Sequence, residues 1–154
     1  MNINIVRASS ATNFTSTGSD CGTTCKYLEA APSDQSSGIA WCSNSTSALG
    51  TTGKTIGTGM ANTTTADTTC TTGAIQIAAD YTNNSKTDWH LPSRDEWSQL
   101  YIQEATVGGF SSGRYWSSSE SGANVAWYQV FGSGAQGTFG KINAYYVRPV
   151  RAFG

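Results

Sequence analysis

The chain has 154 residues, a formal net charge of −1 and only 12% charged side chains. One domain with a sizeable core is expected at this length, and the lack of a basic surface excludes nucleic acid as a partner. No apolar run approaches the roughly 20 residues that span a bilayer, so membrane insertion is also excluded, and residues 1–4 show no basic start of a signal peptide.

The first half of the chain is rich in Ser and Thr and carries weak patterns. Residues 1–26 are predicted to form either an arm or an edge strand, the strand at 3–6. A first strand is predicted over 27–32, where a proline ends it, and a second over 39–42. A helix is predicted around 60–81, because its alanines and isoleucine form one apolar face although threonine is a poor helix former.

Four cysteines, an even number, favour two disulfides formed in an oxidising compartment. Three pairings are open, and we favour Cys21–Cys25 with Cys42–Cys70 because the first two are close in the chain. A zinc site is the alternative, but the spacing lacks paired Cys-x₂-Cys knuckles.

Four Asn-x-Ser/Thr sequons predict exposed loops, with glycosylation left open. They begin at Asn13, Asn44, Asn62 and Asn83.

The central stretch, 88–97, predicts a strand end, a stop at Pro92 and the start of a helix. Ser93 can cap this helix, and Glu96 three residues later can complete a capping box. We expect the helix to cover about 93–104 and to end at the two glycines 108 and 109. Its apolar stripe consists of Trp97, Leu100 and Tyr101.

The remaining residues are short, aromatic and β-like, and they predict strands at 115–118, 125–131, 138–142 and 145–153. Alternation along the second strand places Trp127, Gln129 and Phe131 on one face and Tyr128, Val130 and Gly132 on the other. The large aromatic residues are expected in the core: Trp116, Trp127, Phe131, Tyr146 and Phe153. At least one of Arg148 and Arg151 is expected to pair with a carboxylate, Glu120 being a candidate.

Several motifs of the second half occur in an order that resembles a known family. They are Asp88-Trp89-His90-Leu91-Pro92-Ser93-x-x-Glu96, Gly108-Gly109-Phe110, Tyr115-Trp116-Ser117-Ser118-Ser119-Glu120, Ala126-Trp127-x-x-x-Phe131 and Tyr146-Val147-Arg148-Pro149-Val150-Arg151-Ala152-Phe153. The series, with matches at 27–32 and 57–63, resembles the C-terminal domain of the Legionella collagen-like adhesin and its bacterial and phage relatives. The resemblance covers about 27–153.

This resemblance implies an α+β, C-type-lectin-like fold, with two short helices around a small mixed or antiparallel sheet and long loops. The domain would cover 27–154, after the arm 1–26. The family also implies display on a surface, often at the end of a fibre or stalk, and ligand binding without catalysis. Several of its members form trimers.

The chain departs from true C-type lectins in the motifs that bind calcium and sugar. Glu-Pro-Asn, Gln-Pro-Asp and Trp-Asn-Asp are all missing, since Ser93 follows Pro92 and Val150 follows Pro149. Calcium-mediated sugar binding is therefore not expected, and a structural calcium ion on loop carbonyls is the one cofactor left open. Sulfated glycans would need clustered basic residues, whereas the nine Lys and Arg are scattered.

A related group with the same fold contains the variable proteins of diversity-generating retroelements, in which adenines of Asn-type codons are randomised. Such codons cannot become Trp, Gln, Lys, Glu or Met. Between positions 122 and 144, only Trp127, Gln129, Gln136 and Lys141 lie outside the set that the codons can reach. The pattern suits an invariant buried face and a variable open face, and it also suits an ordinary Gly/Ser-rich β-region.

Residues that suggest catalysis have simpler explanations. His90, the one histidine, has no partners at a convincing spacing for a triad or a metal. Asp95 and Glu96 are explained by helix capping and the helix dipole, and the serines 117–119 lack a Gly-x-Ser-x-Gly elbow. We therefore predict that the protein is not an enzyme.

The predicted function is recognition of a protein or glycan on another cell through the surface 112–144. The candidate contact residues combine aromatic area with adaptable small residues; they are Arg114, Tyr128, Val130, Ser133, Phe139 and Ile142. The alternative is a structural subunit of a filament, stalk or phage particle that assembles with itself, as a homotrimer or filament, through the same loops. Either function predicts an extracellular, cell-surface or virion-surface location.

Overall fold

Two β-sheets and four helices make up the part of the chain that the computed structural model describes, residues 5–7 and 13–154. The strands are β1 (Ile5–Arg7), β2 (Tyr27–Ala30), β3 (Ser36–Ile39), β4 (Arg114–Glu120), β5 (Val125–Val130), β6 (Gln136–Gly140), β7 (Tyr145–Val147) and β8 (Val150–Phe153). The helices are α1 (Gly59–Asp67), α2 (Ala74–Asp80), α3 (Arg94–Ile102) and α4 (Glu104–Val107). The α+β, C-type-lectin-like fold is thus confirmed, with two more short helices than predicted.

The smaller sheet joins the two ends of the chain. Its order is β1-β2-β8, all antiparallel, and Leu28 of β2 pairs with Ala152 of β8. The predicted strand over 27–32 is confirmed as β2, which ends before Pro32. The predicted edge strand over 3–6 overlaps β1 at Ile5 and Val6, and its first two residues lie outside the described part of the chain.

The larger sheet has the order β3-β7-β4-β5-β6, and only β4 and β7 pair in parallel. A single strand over 145–153 was wrong, because the segment divides into β7 and β8, which belong to different sheets. Pro149 lies at the break and has no N–H to donate to a ladder. The Arg148 side chain before it turns inward and donates from Nε to the Ala31 carbonyl oxygen.

The predicted helix over 60–81 is two helices separated by residues 68–73. Within this gap Cys70 forms a disulfide with Cys42. Gly73 follows with φ 111°, and a Cβ there would lie 2.8 Å from the Cys42 backbone. The covalent link and this close approach require a turn that a continuous helix cannot make.

The second strand is shifted from its predicted position at 39–42 to β3 at Ser36–Ile39. Trp41 and Cys42 are buried beneath α1 and α2 instead of pairing in a ladder. The apolar run at 39–42 is explained by the burial of these side chains. A short apolar run does not by itself distinguish a buried strand from a buried loop.

The helix at the centre of the sequence forms as predicted. Ser93 Oγ accepts from the Glu96 N–H and the Glu96 carboxylate accepts from the Ser93 N–H, so the capping box is present. The helix runs on into α4 after an irregular residue and ends at Gly108, which has φ 74°. The predicted glycine stop is confirmed.

Two apolar clusters lie on opposite faces of the larger sheet. The first holds Trp97 and Leu100 of α3 against Tyr115, Phe131 and the smaller sheet. The second packs α1, α2 and Trp41 against the Trp116 face. Of the aromatic residues expected in the core, Trp116 and Phe131 are buried, whereas three are only half-buried: Trp127, Tyr146 and Phe153.

Both buried arginines pair with a carboxylate, which confirms the expected pairing, but Glu120 is not the partner of either. Arg148 Nη1 lies 3.3 Å from Asp34, and Arg151 Nε lies 2.9 Å from Asp88. Glu120 bonds to Lys141 instead. Glu120 was the wrong candidate because its carboxylate, at the end of β4, also accepts from backbone N–H groups of residues 49 and 51, far from either arginine.

Both disulfides have the favoured pairing, Cys21–Cys25 and Cys42–Cys70. One sequon was misjudged: Asn62 lies in α1, is 6% exposed, and donates from Nδ2 to the Gly53 carbonyl oxygen. The sequon pattern carries no information on burial, so a helix-facing asparagine matches as well as a loop one.

Candidate ligand-binding surface

One face of the larger sheet is covered by α1 and α2 at one end and open at the other. Strand alternation brings Arg114, Tyr128, Phe139 and Tyr145 together on this open part, from β4, β5, β6 and β7. The Arg114 guanidinium lies 5.2 Å from the Tyr128 ring centre and 5.8 Å from that of Tyr145. Both distances allow cation–π attraction. We call these four side chains the aromatic cluster.

The rings of the aromatic cluster hold each other. Tyr128 meets Tyr145 edge to face at 5.5 Å between ring centres, and Phe139 stacks on Tyr145 at 6.3 Å. Phe139 nonetheless keeps 50% of its surface exposed. A partially exposed aromatic group on a rigid strand is the kind of residue that contributes most to binding interfaces.

Two features behind the aromatic cluster keep it rigid. The buried Trp116 ring packs 4.6 Å from that of Tyr145 and donates from Nε1 to the Ile39 carbonyl oxygen at 2.9 Å. Across β5 and β6, the Tyr128 hydroxyl lies over Gly137, where a Cβ would approach it to 2.7 Å. The glycine therefore provides the space for the tyrosine ring.

A shallow cleft of about 280 Å³ borders the aromatic cluster. Arg114, Val130 and Tyr145 form one part of its wall. The rest of the wall is formed by Ser37 of β3, Tyr146 of β7 and the residues just before β4 and β7, which are Ser112, Gly113 and Ala144. The volume suits one side chain or one small chemical group, and not an extended ligand.

The strands and turns that form most of this face carry no negatively charged side chain. Residues 121–147 contain no Asp or Glu, and their one lysine, Lys141, is buried in its bond to Glu120. No carboxylate of the described residues lies within ion-pair distance of the exposed Arg114. Burial raises the pKa of the Tyr145 hydroxyl although Arg114 opposes the shift, so this group is a protonated donor at neutral pH.

The structure unites four of the six residues that the sequence suggested for contact. Arg114, Tyr128 and Phe139 join in the aromatic cluster, and Val130 lines the cleft. The other two lie in the turns at either end of β6: Ser133, whose Oγ accepts from the Ala135 N–H, and Ile142, which is 74% exposed.

Tyr145 was missed as a contact residue. Its strand was predicted, but the break at Pro149 and the parallel pairing of β7 with β4 place it beside Arg114. Parallel pairing joins residues 115 and 146, which local patterns do not connect.

The residues that suggested chemistry lie in the interior, except Asp95, which is partly exposed beside Arg94. His90 and Glu96 are fully buried, with Nε2 3.0 Å from Oε1, and Glu96 also accepts from the Gly57 N–H at 2.8 Å. Serines 117–119 are buried in β4. In the described part of the chain, no group of three or more His, Cys, Asp and Glu side chains is arranged to hold a metal ion.

The fold and the open face define a C-type-lectin-like domain of the adhesin-like kind. The family model of the Lcl C-terminal domain matches residues 31–151. The chain belongs to this family, and the resemblance carried by its motifs is confirmed.

A solved structure has the same fold. It is a fimbrial protein from Bacteroides ovatus ATCC 8483, with a TM-score of 0.57 and 18% identity, and the match covers 84% of this chain. The same match covers 36% of the fimbrial protein, so this chain spans about a third of the length of that molecule. No curated protein matches the sequence.

The family and the two disulfides indicate a surface or extracellular protein. Among the residues that the structure describes, no helix has the length and apolar character needed to cross a membrane. The family also favours a role without catalysis.

Proposed function

We propose that this domain is a non-catalytic binding module, displayed on a cell or particle surface, that recognises a protein or glycan on another cell. The observation that carries the proposal is the aromatic cluster, in which Phe139 and Arg114 are exposed and Tyr128 and Tyr145 are half-buried on a sheet that is rigid behind them. Arg114 has no carboxylate partner among the described residues. Aromatic and arginine side chains in such positions dominate binding energies. The opposite side chains of β4 and β5 are buried against α3 and need no ligand to stabilise them.

Substitution of one half-buried and one exposed ring of the cluster, Tyr128 and Phe139, tests this proposal. Tyr128→Ala and Phe139→Ala should each weaken retention on an array of glycans and cell-surface proteins by about 30-fold, the effect of losing a binding hot spot of about 2 kcal/mol. The melting temperature of Phe139→Ala should stay unchanged, whereas that of Tyr128→Ala should fall although the variant remains folded, because the Tyr128 ring packs on Tyr145 and the apolar cluster behind it. Ile102→Ala is the matched control, since Ile102 is 72% exposed on α3, away from the cluster. Equal retention of all three variants would contradict the proposal.

The finer proposal is that this face varies by retroelement-driven mutagenesis. It is supported by the positions that randomised Asn-type codons cannot reach, because Gln129 and Lys141 are buried and Trp127 is half-buried. Phe139 and Ile142, which the codons can reach, are exposed. A near-repeat of the 3′ coding end that differs only at adenines, beside a reverse transcriptase gene, is the expected genomic observation. Its absence would argue for an ordinary β-region.

The alternative is a structural subunit of a filament or particle, and the fimbrial nature of the Bacteroides ovatus protein favours it. In that case, copies of the chain would contact each other through the same face. Light scattering of the purified domain separates the two functions. A strict monomer at high concentration supports the binding module, and concentration-dependent oligomers that Phe139→Ala abolishes support the structural subunit.

A further inference from the structure

The charge in the cleft beside the aromatic cluster is positive. Among the described residues that line it, none is acidic and Arg114 is the one ionised side chain. Three of the other four arginines are paired with carboxylates: Arg94 with Asp95, Arg148 with Asp34 and Arg151 with Asp88. The fourth, Arg7 of β1, lies over the Tyr27 ring and does not line the cleft. An arginine in a concave site that has no carboxylate partner among the described residues can bind one planar anion with its guanidinium fork.

The two tyrosines fix the direction of that fork. With Tyr128 and Tyr145 at 5.2 and 5.8 Å, the guanidinium is held over two rings. Its side chain therefore loses less conformational entropy on binding than a freely rotating arginine would. The hydroxyls of Ser37 and Ser112 at the cleft wall offer additional donors to an anion.

The number of charges selects the kind of anion. One guanidinium balances one carboxylate, whereas a sulfated polymer would need a row of cations. Within residues 121–147 the remaining cation, Lys141, is already bonded to Glu120. A single carboxylate group is the ligand that the charge distribution fits.

The cleft wall favours a side-chain carboxylate over a sugar acid. Val130 and Ala144 are apolar, and they suit the methylene groups of a Glu or Asp side chain. The tyrosine rings are engaged already, Tyr145 by Trp116 at 4.6 Å and Tyr146 by Tyr115 at 5.1 Å, which leaves little free ring surface for a sugar to stack on. A sugar would also bury several hydroxyls with few partners, which is costly.

We infer that the cleft holds an acidic side chain of a partner protein, with its carboxylate bound bidentately by Arg114 and its methylene groups against Val130 and Ala144. The inference rests on the proposed function and names the chemistry that this face recognises. The half-exposed Phe139 then contacts an apolar neighbour of the acidic residue in the partner.

Nuclear magnetic resonance titration tests the inference, with acetyl-Leu-Glu-Leu-amide as the probe. The Nε–H signal of Arg114 and the backbone amides of residues 112–114 and 130 should shift. The matched peptide with Gln in place of Glu should bind at least about tenfold more weakly, since a charge-assisted bond contributes about 1.5 kcal/mol or more. Equal binding of the two peptides, or no shift at these signals, would overturn the inference.

Variants and a second ligand complete the test. Arg114→Gln should lose Glu-peptide binding with an unchanged melting temperature, because the side chain is exposed. Arg94→Gln is the control: it lies 5.0 Å from the Trp127 ring but is paired with Asp95, and it should bind as the wild type does. Binding of methyl glucuronide in preference to the peptide would overturn the peptide assignment.

The same variants distinguish failure of this inference from failure of the proposed function. If Arg114→Gln binds the probe normally while Tyr128→Ala and Phe139→Ala still lose array retention, only the carboxylate inference falls. If the aromatic substitutions also have no effect on retention, the proposal that the aromatic cluster binds a ligand is contradicted as well.

Discussion

At the level of single residues, the buried carboxylate of Glu96 is stabilised by hydrogen bonds from several backbone N–H groups. Glu96 is fully buried, and its two oxygens accept from the N–H groups of residues 57, 59 and 93 and contact His90 Nε2. Burial alone raises the pKa of the Glu96 carboxyl, but His90 and these backbone donors outweigh it and hold the pKa below its usual value. One capping residue thus joins the start of α3 to the loop before α1.

Loss of this carboxylate should unfold the chain more easily. Glu96→Gln places an amide NH₂ against N–H donors that then lack an acceptor, and we expect a loss of about 3 kcal/mol in the free energy of unfolding. Urea denaturation measures it. Glu104→Gln is the control. Because Glu104 is exposed at the start of α4, this change should alter the free energy of unfolding by less than about 0.5 kcal/mol. A loss at Glu96 as small as that would show that the buried network contributes little.

At the scale of elements, short helices and strands are held by links between segments that are distant in the chain. The Cys42–Cys70 disulfide joins the segment after β3 to the turn between α1 and α2, with a sequence separation of 28. The Cys21–Cys25 disulfide closes a separation of only 4. The longer link restricts the unfolded chain more strongly.

We therefore predict unequal effects of removing the two disulfides. The Cys42→Ala/Cys70→Ala variant should lose roughly 3.5 kcal/mol of unfolding free energy and the Cys21→Ala/Cys25→Ala variant roughly 2 kcal/mol, from loop closure entropy. Chemical denaturation of both double variants under identical conditions gives the comparison. A larger loss from the short loop would mean that native contacts near Cys21, rather than chain entropy, determine its contribution.

At the scale of the molecule, charged residues join the two ends of the chain. Arg151 of β8 pairs with Asp88 before α3 and with Glu29 of the adjacent strand β2. Burial raises the pKa of the Asp88 carboxyl, but Arg151 and the Asp20 N–H outweigh that effect, and the pKa is lowered. Because the folded-state pKa is depressed, Asp88 contributes stability above its unfolded pKa of about 3.9, and this contribution is lost as the pH falls through the folded value.

The pH dependence of Asp88→Asn should reveal this contribution. Above about pH 5 the variant should be less stable than the wild type by about 2 kcal/mol, since Arg151 loses its charged partner. Below pH 3 the difference should shrink, because a protonated Asp88 resembles Asn. Thermal or urea unfolding from pH 7 to pH 2 measures it. A difference that is constant with pH would show that Asp88 is not titrating in this range.

Elements whose signals lie within a few residues could be predicted from the sequence alone. The capping box and apolar stripe predicted α3, and the glycines predicted its end. Period-two alternation predicted β5 with its two faces, and the predicted strands over 115–118 and 138–142 overlap β4 and β6. These signals are local because a cap bonds three residues away and a strand side chain faces its neighbour two residues away.

Which distant segments contact each other could be read only from the folded molecule. The tertiary structure divided 60–81 at a disulfide, moved the second strand to Ser36–Ile39, paired Glu120 with Lys141 and placed Tyr145 beside Arg114. The Arg148–Asp34 pair joins residues 114 apart in the chain. Such partners are chosen by the packing of the whole core, since a buried charge takes whichever opposite charge the fold brings to it, and no local pattern of residues encodes that choice.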